Sequence, residues 1–448
     1  MATDFADVRT RDMSRGAERI GLTRQFWVVL HRWAGLSLTL FLAVAGFTGI
    51  FLAWLDELEV ATAPELHLAA PPSAGARPLD PLAIREQVLA RYPGAAIDFV
   101  PLKVEEGRSL SLHLHWHDPK TGEELKPGPG WDDLFIDPYT GKELGRREWG
   151  DITQGVKNLM PFVYRLHYSL ALGDTAMLVF GIAALIWTID CFIGFYLTMP
   201  VRQRGANLAM PGLHGQGWWR RWRPSWAVRW HASRYKLNFD LHRAGGLWLW
   251  PLLLVFAWSS VSFNLPQVYV PVMNQFGADD PREAYFAGML SKPRRDPALT
   301  FEQGLERGKA LASQEAGKVG LTMRTSGETY LWHAPDIGAY IYGFTTSADI
   351  SKHGAGTSVA FDSNSGVLRY VQIPTGANGA NTFGHWLVAL HTAHVWGLPW
   401  RIAVSMIGAI VTMLCVTGIV MWMKKRTGRA SRKRFSSLPL PNIANQSQ

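Results

Sequence analysis

The sequence predicts an α-helical membrane protein: a four-transmembrane-helix bundle built as an internal duplication, with two small α+β modules in its outer loops. Three observations predict it. Four stretches are apolar over about 20 residues or more, the length needed to cross a hydrocarbon core. Two half-sequences lie over each other with matching residues at identical offsets. Between the apolar stretches lie two long connections in which a helical period gives way to strand alternation.

The apolar stretches are residues 26–54, about 175–199, about 244–265 and about 402–423. A mean hydropathy near zero conceals them, because the connections are polar. The first is too long for a signal-peptide core and no small-residue cleavage site follows it, so it reads as a retained span. Orientation follows from the placement of lysine and arginine. Arg9, Arg11, Arg15, Arg19 and Arg24 precede the first span, and residues 201–239 carry eight basic residues and no acidic one. The tail adds Lys424, Lys425, Arg426, Arg429, Arg432, Lys433 and Arg434. These segments belong on the cytoplasmic side. The net charge of +9 is then a topology signal, and no nucleic-acid partner is implied.

The chain divides accordingly into a cytoplasmic N-terminus (1–25), span 1 (26–54), outer module 1 (55–160) and span 2 with its outer lead-in (161–200). A basic, Trp-rich cytoplasmic loop (201–239) and span 3 (240–265) follow, then outer module 2 (266–384), span 4 with its lead-in (385–423) and a basic cytoplasmic tail (424–448). Both termini face the cytoplasm. In the loop, Trp218, Trp222, Trp226 and Trp230 recur every fourth residue among arginines, a stripe suited to the lipid headgroup layer or to docking an electron donor. Cys191 and Cys415 sit at equivalent repeat positions inside spans, which excludes a disulfide scaffold and suits small packing residues.

In module 1, Pro81 to Tyr92 has the helical period, SLSLHLHW alternates as a strand, and LFIDPYTGKEL forms a strand, turn and strand. In module 2, Phe301 to Ala312 is the helix, followed by strands at TYLWHA, AYIYGFTT and SVAFDSNSGVLRYV. Asp137 and Asp362 occupy similar hairpins and are expected to cap turns.

The repeat concentrates on histidines. LHRWAGL, with His31, Gly35 and Leu36, matches LHRAGGL, with His242, Gly246 and Leu247. Leu166-His167 runs to Gly173, Cys191 and Gly194 as Leu390-His391 runs to Gly397, Cys415 and Gly418. Metal-binding residues in or near spans are costly unless they face a bundle interior, which makes them functional candidates by default. His31 and His242 would open helices entering from the cytoplasm, and His167 and His391 helices entering from outside. In a four-helix bundle, cofactor ligands project inward from facing helices. The pattern points to two haem b groups, one near each membrane face, with His31 and His242 as axial ligands of one iron and His167 and His391 of the other. Two imidazoles leave no open position for oxygen chemistry, which suits single-electron transfer.

Gly35 and Gly246, one turn after their histidines, would let a porphyrin lie against the helix. Arg32, Arg243 and Arg165 match haem propionates, or are interfacial residues reaching for headgroups. His394 is expected on the helix face of His391 and is a rival ligand; His385 lies earlier on the same helix. His113, His115 and His117 alternate in HLHWH, so a strand would project all three from one face, as a weak metal or iron-chelate site or a solvated surface. No CxxC, HExxH, G-x-S-x-G or phosphate-cradling glycine loop occurs, so peptidase and nucleotide-driven pump chemistries lack their residues.

HRWAGL in span 1, the hairpins FIDPYTGKEL and AFDSNSGVLRY, LHYSL before span 2, LHRAGG at span 3 and LHTAH before span 4 make the chain resemble the PepSY-associated transmembrane family, over about residues 24–425. The resemblance implies PepSY-like outer modules and the company of iron-regulated inner-membrane proteins and ferric-siderophore reductases. The expected activity is then a bacterial inner-membrane oxidoreductase that carries electrons outward to a periplasmic ferric siderophore or other iron chelate, turning Fe3+ into Fe2+ for iron uptake. No flavin or nicotinamide module follows residue 425, so an intracellular donor or the quinol pool must supply the electrons. The alternatives are the same conduit serving copper or a periplasmic redox protein, and a non-enzymatic PepSY-type regulatory or binding protein without a cofactor.

Overall fold

The computed structural model describes residues 4–118, 124–125, 128–201, 217–351 and 356–436, without the side chains of 4–23, 325–326 and 428–436. Arg202 and Arg204 lie outside the described residues, as do the side chains of the first four N-terminal arginines and of Arg429, Arg432, Lys433 and Arg434.

Helix dominates. Three helical segments are long and apolar enough to cross a membrane: Arg24–Leu52, Asp174–Thr198 and Leu398–Thr427. The first is part of one continuous helix, Asp4–Leu52, so no break separates the expected N-terminal segment from the span. The fourth candidate is a broken pair, Arg234–Trp248 and Trp250–Asn264, bent by 70°. Pro251 accounts for the break: it offers no N–H to the carbonyl four residues back, and its ring crowds that carbonyl. Trp248 Nε1 donates to the Trp226 carbonyl and Trp250 Nε1 to the Cys191 carbonyl, holding both sides of the bend.

The chain falls into two compact units, Met1–Phe47 with Ala183–Ala257 and Ile407–Gln448, and Thr48–Ile182 with Trp258–Met406. Each boundary falls inside a helix. In the first unit, Cys191, Leu253, Ala257, Ile407 and Val411 form a core with Trp187 and Trp250 against it. A Cβ on Gly46 would lie 2.9 Å from the Gly408 carbonyl oxygen, so these helices cross at backbone contact, as small residues permit in membranes. Both cysteines are free and buried, as packing residues should be. Arg24 donates to the Leu197 and Met199 carbonyls at the end of Asp174–Thr198, where helix carbonyls lack internal partners. The tryptophan stripe does not stay on one face. Trp218–Trp222 is helical, Arg223–Trp226 is a tighter 3-10 turn containing Pro224, and Trp222 turns inward to donate to Thr198 Oγ1 while Trp230 stays exposed.

The second unit holds the two long connections. Its strands are β1 (Ala95–Ala96), β2 (Phe99–Pro101), β3 (Leu110–His113), β4 (His115–Trp116), β5 (Asp133–Ile136), β6 (Glu143–Arg147), β7 (Met323–Ala334), β8 (Ala339–Thr346), β9 (Thr357–Asp362) and β10 (Leu368–Gln372). They form sheets ordered β1-β4, β3-β5-β6 and β10-β9-β8-β7-β2, all antiparallel. The connections are therefore not two separate modules. Strand β2 of the first pairs with β7 of the second, in register Val100↔Leu331, and Pro101 is tolerated there because β2 is an edge strand. One core unites them: Leu82, Ile84 and Val88 from the helix Pro81–Arg91 join Leu112 and Ile136, Leu311 and Ala312 from the helix Phe301–Lys318, and Tyr340, Tyr342 and Phe361 from the large sheet. Gly308 lets that second helix sit on the sheet, since a Cβ there would lie 2.7 Å from Tyr342 Cβ.

Both hairpin aspartates cap their turns. Asp137 Oδ1 accepts from the Tyr139 amide. Asp362 Oδ1 accepts from the Asn364 and Ser365 amides, and Oδ2 from Arg369 and Arg294. Burial pushes the Asp362 carboxyl up, but the Ser365 amide, Arg369, the Asn364 amide and Arg294 outweigh it and hold the carboxyl well below its ordinary range. A depressed carboxyl stabilises the fold above the unfolded value of about 4 and loses that contribution as pH falls below it. Asp362→Asn is expected to lower thermal stability at pH 7 and to narrow its deficit against the parent below about pH 4; an equal deficit at both would contradict this assignment.

Candidate functional site

The four repeated histidines come together as two pairs, each within one unit. In the first unit, His31 lies well inside Asp4–Leu52 and His242 in the middle of Arg234–Trp248, so neither opens its helix. Their ring centroids are 6.3 Å apart and their planes 63° apart. In the second unit, His167 and His391 do not open spans either. Each sits at the end of a short helix, Leu159–Ser169 and Gly379–His391, that stops before the span begins. Left-handed residues make the corner: Leu170, Ala171 and Gly173 after one, and Ala393, Trp396 and Gly397 after the other. The ring centroids of this pair are 6.1 Å apart, with planes 86° apart.

Every Nδ1 has a partner. That of His31 is 2.9 Å from Asp190 Oδ1. That of His242 is 3.1 Å from the Leu414 carbonyl and 3.0 Å from Thr417 Oγ1. A carbonyl only accepts, which assigns the proton of His242 to Nδ1 and leaves the lone pair on Nε2. In the other pair, His167 Nδ1 lies 3.0 Å from Thr48 Oγ1 and His391 Nδ1 2.6 Å from Ser259 Oγ. Holding a ring by Nδ1 so that Nε2 faces a metal is the usual support of a ligating histidine. Glycines abut the rings: a Cβ would meet His31 Cε1 at 3.4 Å from Gly194, His242 Cε1 at 3.6 Å from Gly418, and His167 Cε1 at 3.3 Å from Gly49.

The residues fit haem on two grounds. Two imidazoles bound to one iron at about 2 Å each, with ring centres about 1 Å behind the nitrogens, have centroids roughly 6 Å apart, as both pairs do. Gly35 and Gly246 open onto space, with nothing within 4 Å of a Cβ at either position apart from the adjoining residues and backbone of its own helix.

The arginines divide differently. Arg243 is engaged with Asp240 and the Pro224 carbonyl, and Asp240 is fully buried between Arg243 and Arg229. Arg165 donates to the Gly150 carbonyl. Arg32 has no hydrogen-bond or ion-pair partner among the described residues. His394 does not share the face of His391, because the helix ends at His391 and His394 lies exposed in the following turn. His385 Nε2 lies 3.2 Å from Gln372 Nε2 of β10, in neither histidine pair.

The HLHWH run breaks at Leu114. His113 belongs to β3 and His115 to β4, with ring centroids 5.2 Å apart, while His117 forms an isolated bridge with Glu124. Ligand atoms of His113, Asp132 and Asp133 lie within 4.8 Å of one another. Those groups are already engaged, however. Asp133 takes hydrogen bonds from His113 and Arg147, and Asp132 one from the Trp149 amide. The hydrogen bond to Asp133 raises the His113 imidazole, favouring the protonated ring that cannot ligate.

Sequence reasoning missed the groups behind the rings. Asp190 had a signal, being an acidic residue in the middle of the apolar stretch 175–199. Thr48 and Ser259 had another: they stand at the same offset after His31 and His242. Thr417 had none. The family model described as the PepSY-associated TM region matches residues 28–425, a stretch that contains all four paired histidines. No curated protein matches the chain.

Proposed function

The chain belongs to the PepSY-associated transmembrane family, and on that premise we propose that this membrane protein is a di-haem reductase of the bacterial inner membrane, carrying electrons from the cytoplasm to a ferric siderophore or similar iron chelate outside. The observation that carries the proposal is the two histidine pairs at 6.3 and 6.1 Å, the separation that one iron between two imidazoles requires. His31 and His242 would hold one haem b, and His167 and His391 the other. A haem held by each pair would supply single-electron transfer.

The residues of the chain supply orientation. Hydrogen-bond partners on Nδ1 hold each ring in place, and Gly35 and Gly246 leave room for a flat group beside their helices. An internal duplication accounts for the equivalent placement of Thr48 and Ser259 behind the second pair, and of Gly194 and Gly418 behind the first. The basic flanks support a cytoplasmic position for both termini and for the pair at His31 and His242. A quinol, giving two electrons and two protons, or a soluble cytoplasmic donor would reduce that site. Each ferric ion outside takes one electron to become ferrous, and the larger, less charged ion is held less firmly by hard oxygen donors, so iron is released.

A reduced-minus-oxidised spectrum of the purified protein tests the proposal. It is expected to show b-type bands from two haems per chain, reoxidised faster by ferric chelates than by copper(II) or a redox protein. A spectrum without haem bands overturns the reductase and leaves the cofactor-free binding protein; reoxidation by copper alone replaces the acceptor.

A further inference from the structure

We propose that Asp190 makes the haem site at His31 and His242 the lower-potential of the two, so that electrons run downhill from it to the site at His167 and His391. The inference rests on the haem reading above. Its ground is a difference among the four rings. Three Nδ1 atoms meet neutral oxygens: the Leu414 carbonyl with Thr417, Thr48, and Ser259. The fourth, on His31, meets a carboxylate at 2.9 Å, and that carboxylate's side chain is only 9% exposed.

A carboxylate is a stronger acceptor than a hydroxyl or carbonyl, more so where water is scarce. It draws the Nδ1 proton toward itself and makes the ring a better electron donor to the metal. The oxidised iron carries one more positive charge than the reduced iron, so both the richer ligand and the nearby negative charge favour the oxidised state. The midpoint potential of that site falls.

Packing does not require a carboxylate at this position. Asp190 directly precedes Cys191, and the residue directly preceding Cys415 in the other half is Leu414. The second half thus fills the same place with an apolar side chain and offers His242 a backbone carbonyl instead. Among the described residues, His31 is the hydrogen-bond and ion-pair partner that Asp190 has.

Potentiometric titration of the purified full-length protein, followed through its haem bands, tests this. The parent is expected to show two midpoints, with His31→Ala abolishing the lower. Asp190→Asn keeps an oxygen acceptor without the charge; it is expected to retain both haems and to raise the lower midpoint toward the upper, leaving the upper in place. A purely orienting role for Asp190 would change haem retention and leave the midpoints alone. Both haems retained with both midpoints unmoved therefore overturns the proposal, as does His31→Ala abolishing the upper component. If Asp190→Asn sheds that haem, the role of Asp190 is the orienting one and the proposal is overturned. A parent protein without haem overturns the haem reading itself, a different outcome from any of these.

Discussion

Replacing His31 or His242 with alanine is expected to remove one of two haems per chain, and replacing His167 or His391 the other. The expected effect is loss of half the extractable haem in each single variant, measured by pyridine haemochrome against protein concentration. The reason is geometric. Each ring is fixed from behind, by Asp190, by Leu414 and Thr417, by Thr48 or by Ser259, so no neighbouring imidazole can swing in as a substitute. His394 is the obvious stand-in for His391, and His394→Ala is expected to leave haem content unchanged because that residue lies exposed beyond the helix end. Both haems surviving in any one of the four variants would break the pairing. Loss of both from a single variant, with the fold intact by circular dichroism, would mean that the sites do not load independently.

The second large effect is expected at Arg147. Its side chain is 5% exposed and joins three segments: Nε to Asp133 Oδ2 of β5 at 3.0 Å, Nη2 to Glu59 Oε1 at 2.9 Å, and Nη1 to the Lys157 carbonyl at 3.0 Å. Arg147→Ala takes the guanidinium from the buried Asp133, which keeps His113, and from the half-buried Glu59, a kind of cut that destabilises by about 3–5 kcal/mol. Arg147→Lys keeps the charge but lacks the planar fork and is expected to recover little of the loss. Burial already raises the Glu59 carboxyl above its ordinary range despite the pull of Arg147. Without the guanidinium it rises further, so the folded variant holds a proton that the unfolded chain releases above about pH 4. The deficit of the variant should accordingly widen from pH 5 to pH 8 in thermal unfolding of the detergent-solubilised protein. A loss under 1 kcal/mol, or one indifferent to pH, would contradict this account.

The connections show how far local pattern reaches. The helices at Pro81 and Phe301, the strands of AYIYGFTT and SVAFDSNSGVLRYV, and the capping roles of Asp137 and Asp362 are all legible, because each is decided by neighbours a few residues away. Strand β2 is not legible. It is three residues long and ends in proline, and it exists because β7, more than 200 residues later, offers it an edge. The joining of the two connections into one body hangs on that pairing and on the shared core.

The histidine pairs divide in the same way. Hydropathy and equal offsets along one chain were enough to pick out the spans and to match His31 with His242 and His167 with His391, since both are one-dimensional properties. Only the tertiary structure decided where those rings sit: inside two long helices in one case, and at the ends of two short helices before left-handed corners in the other. It also decided what stands behind them. A ring nitrogen takes whichever oxygen the folded chain brings within 3 Å or so, and no periodicity records that choice. The carboxylate of Asp190 behind His31, with neutral oxygens behind the other three rings, is therefore a fact of the fold, although every residue involved was visible in the sequence.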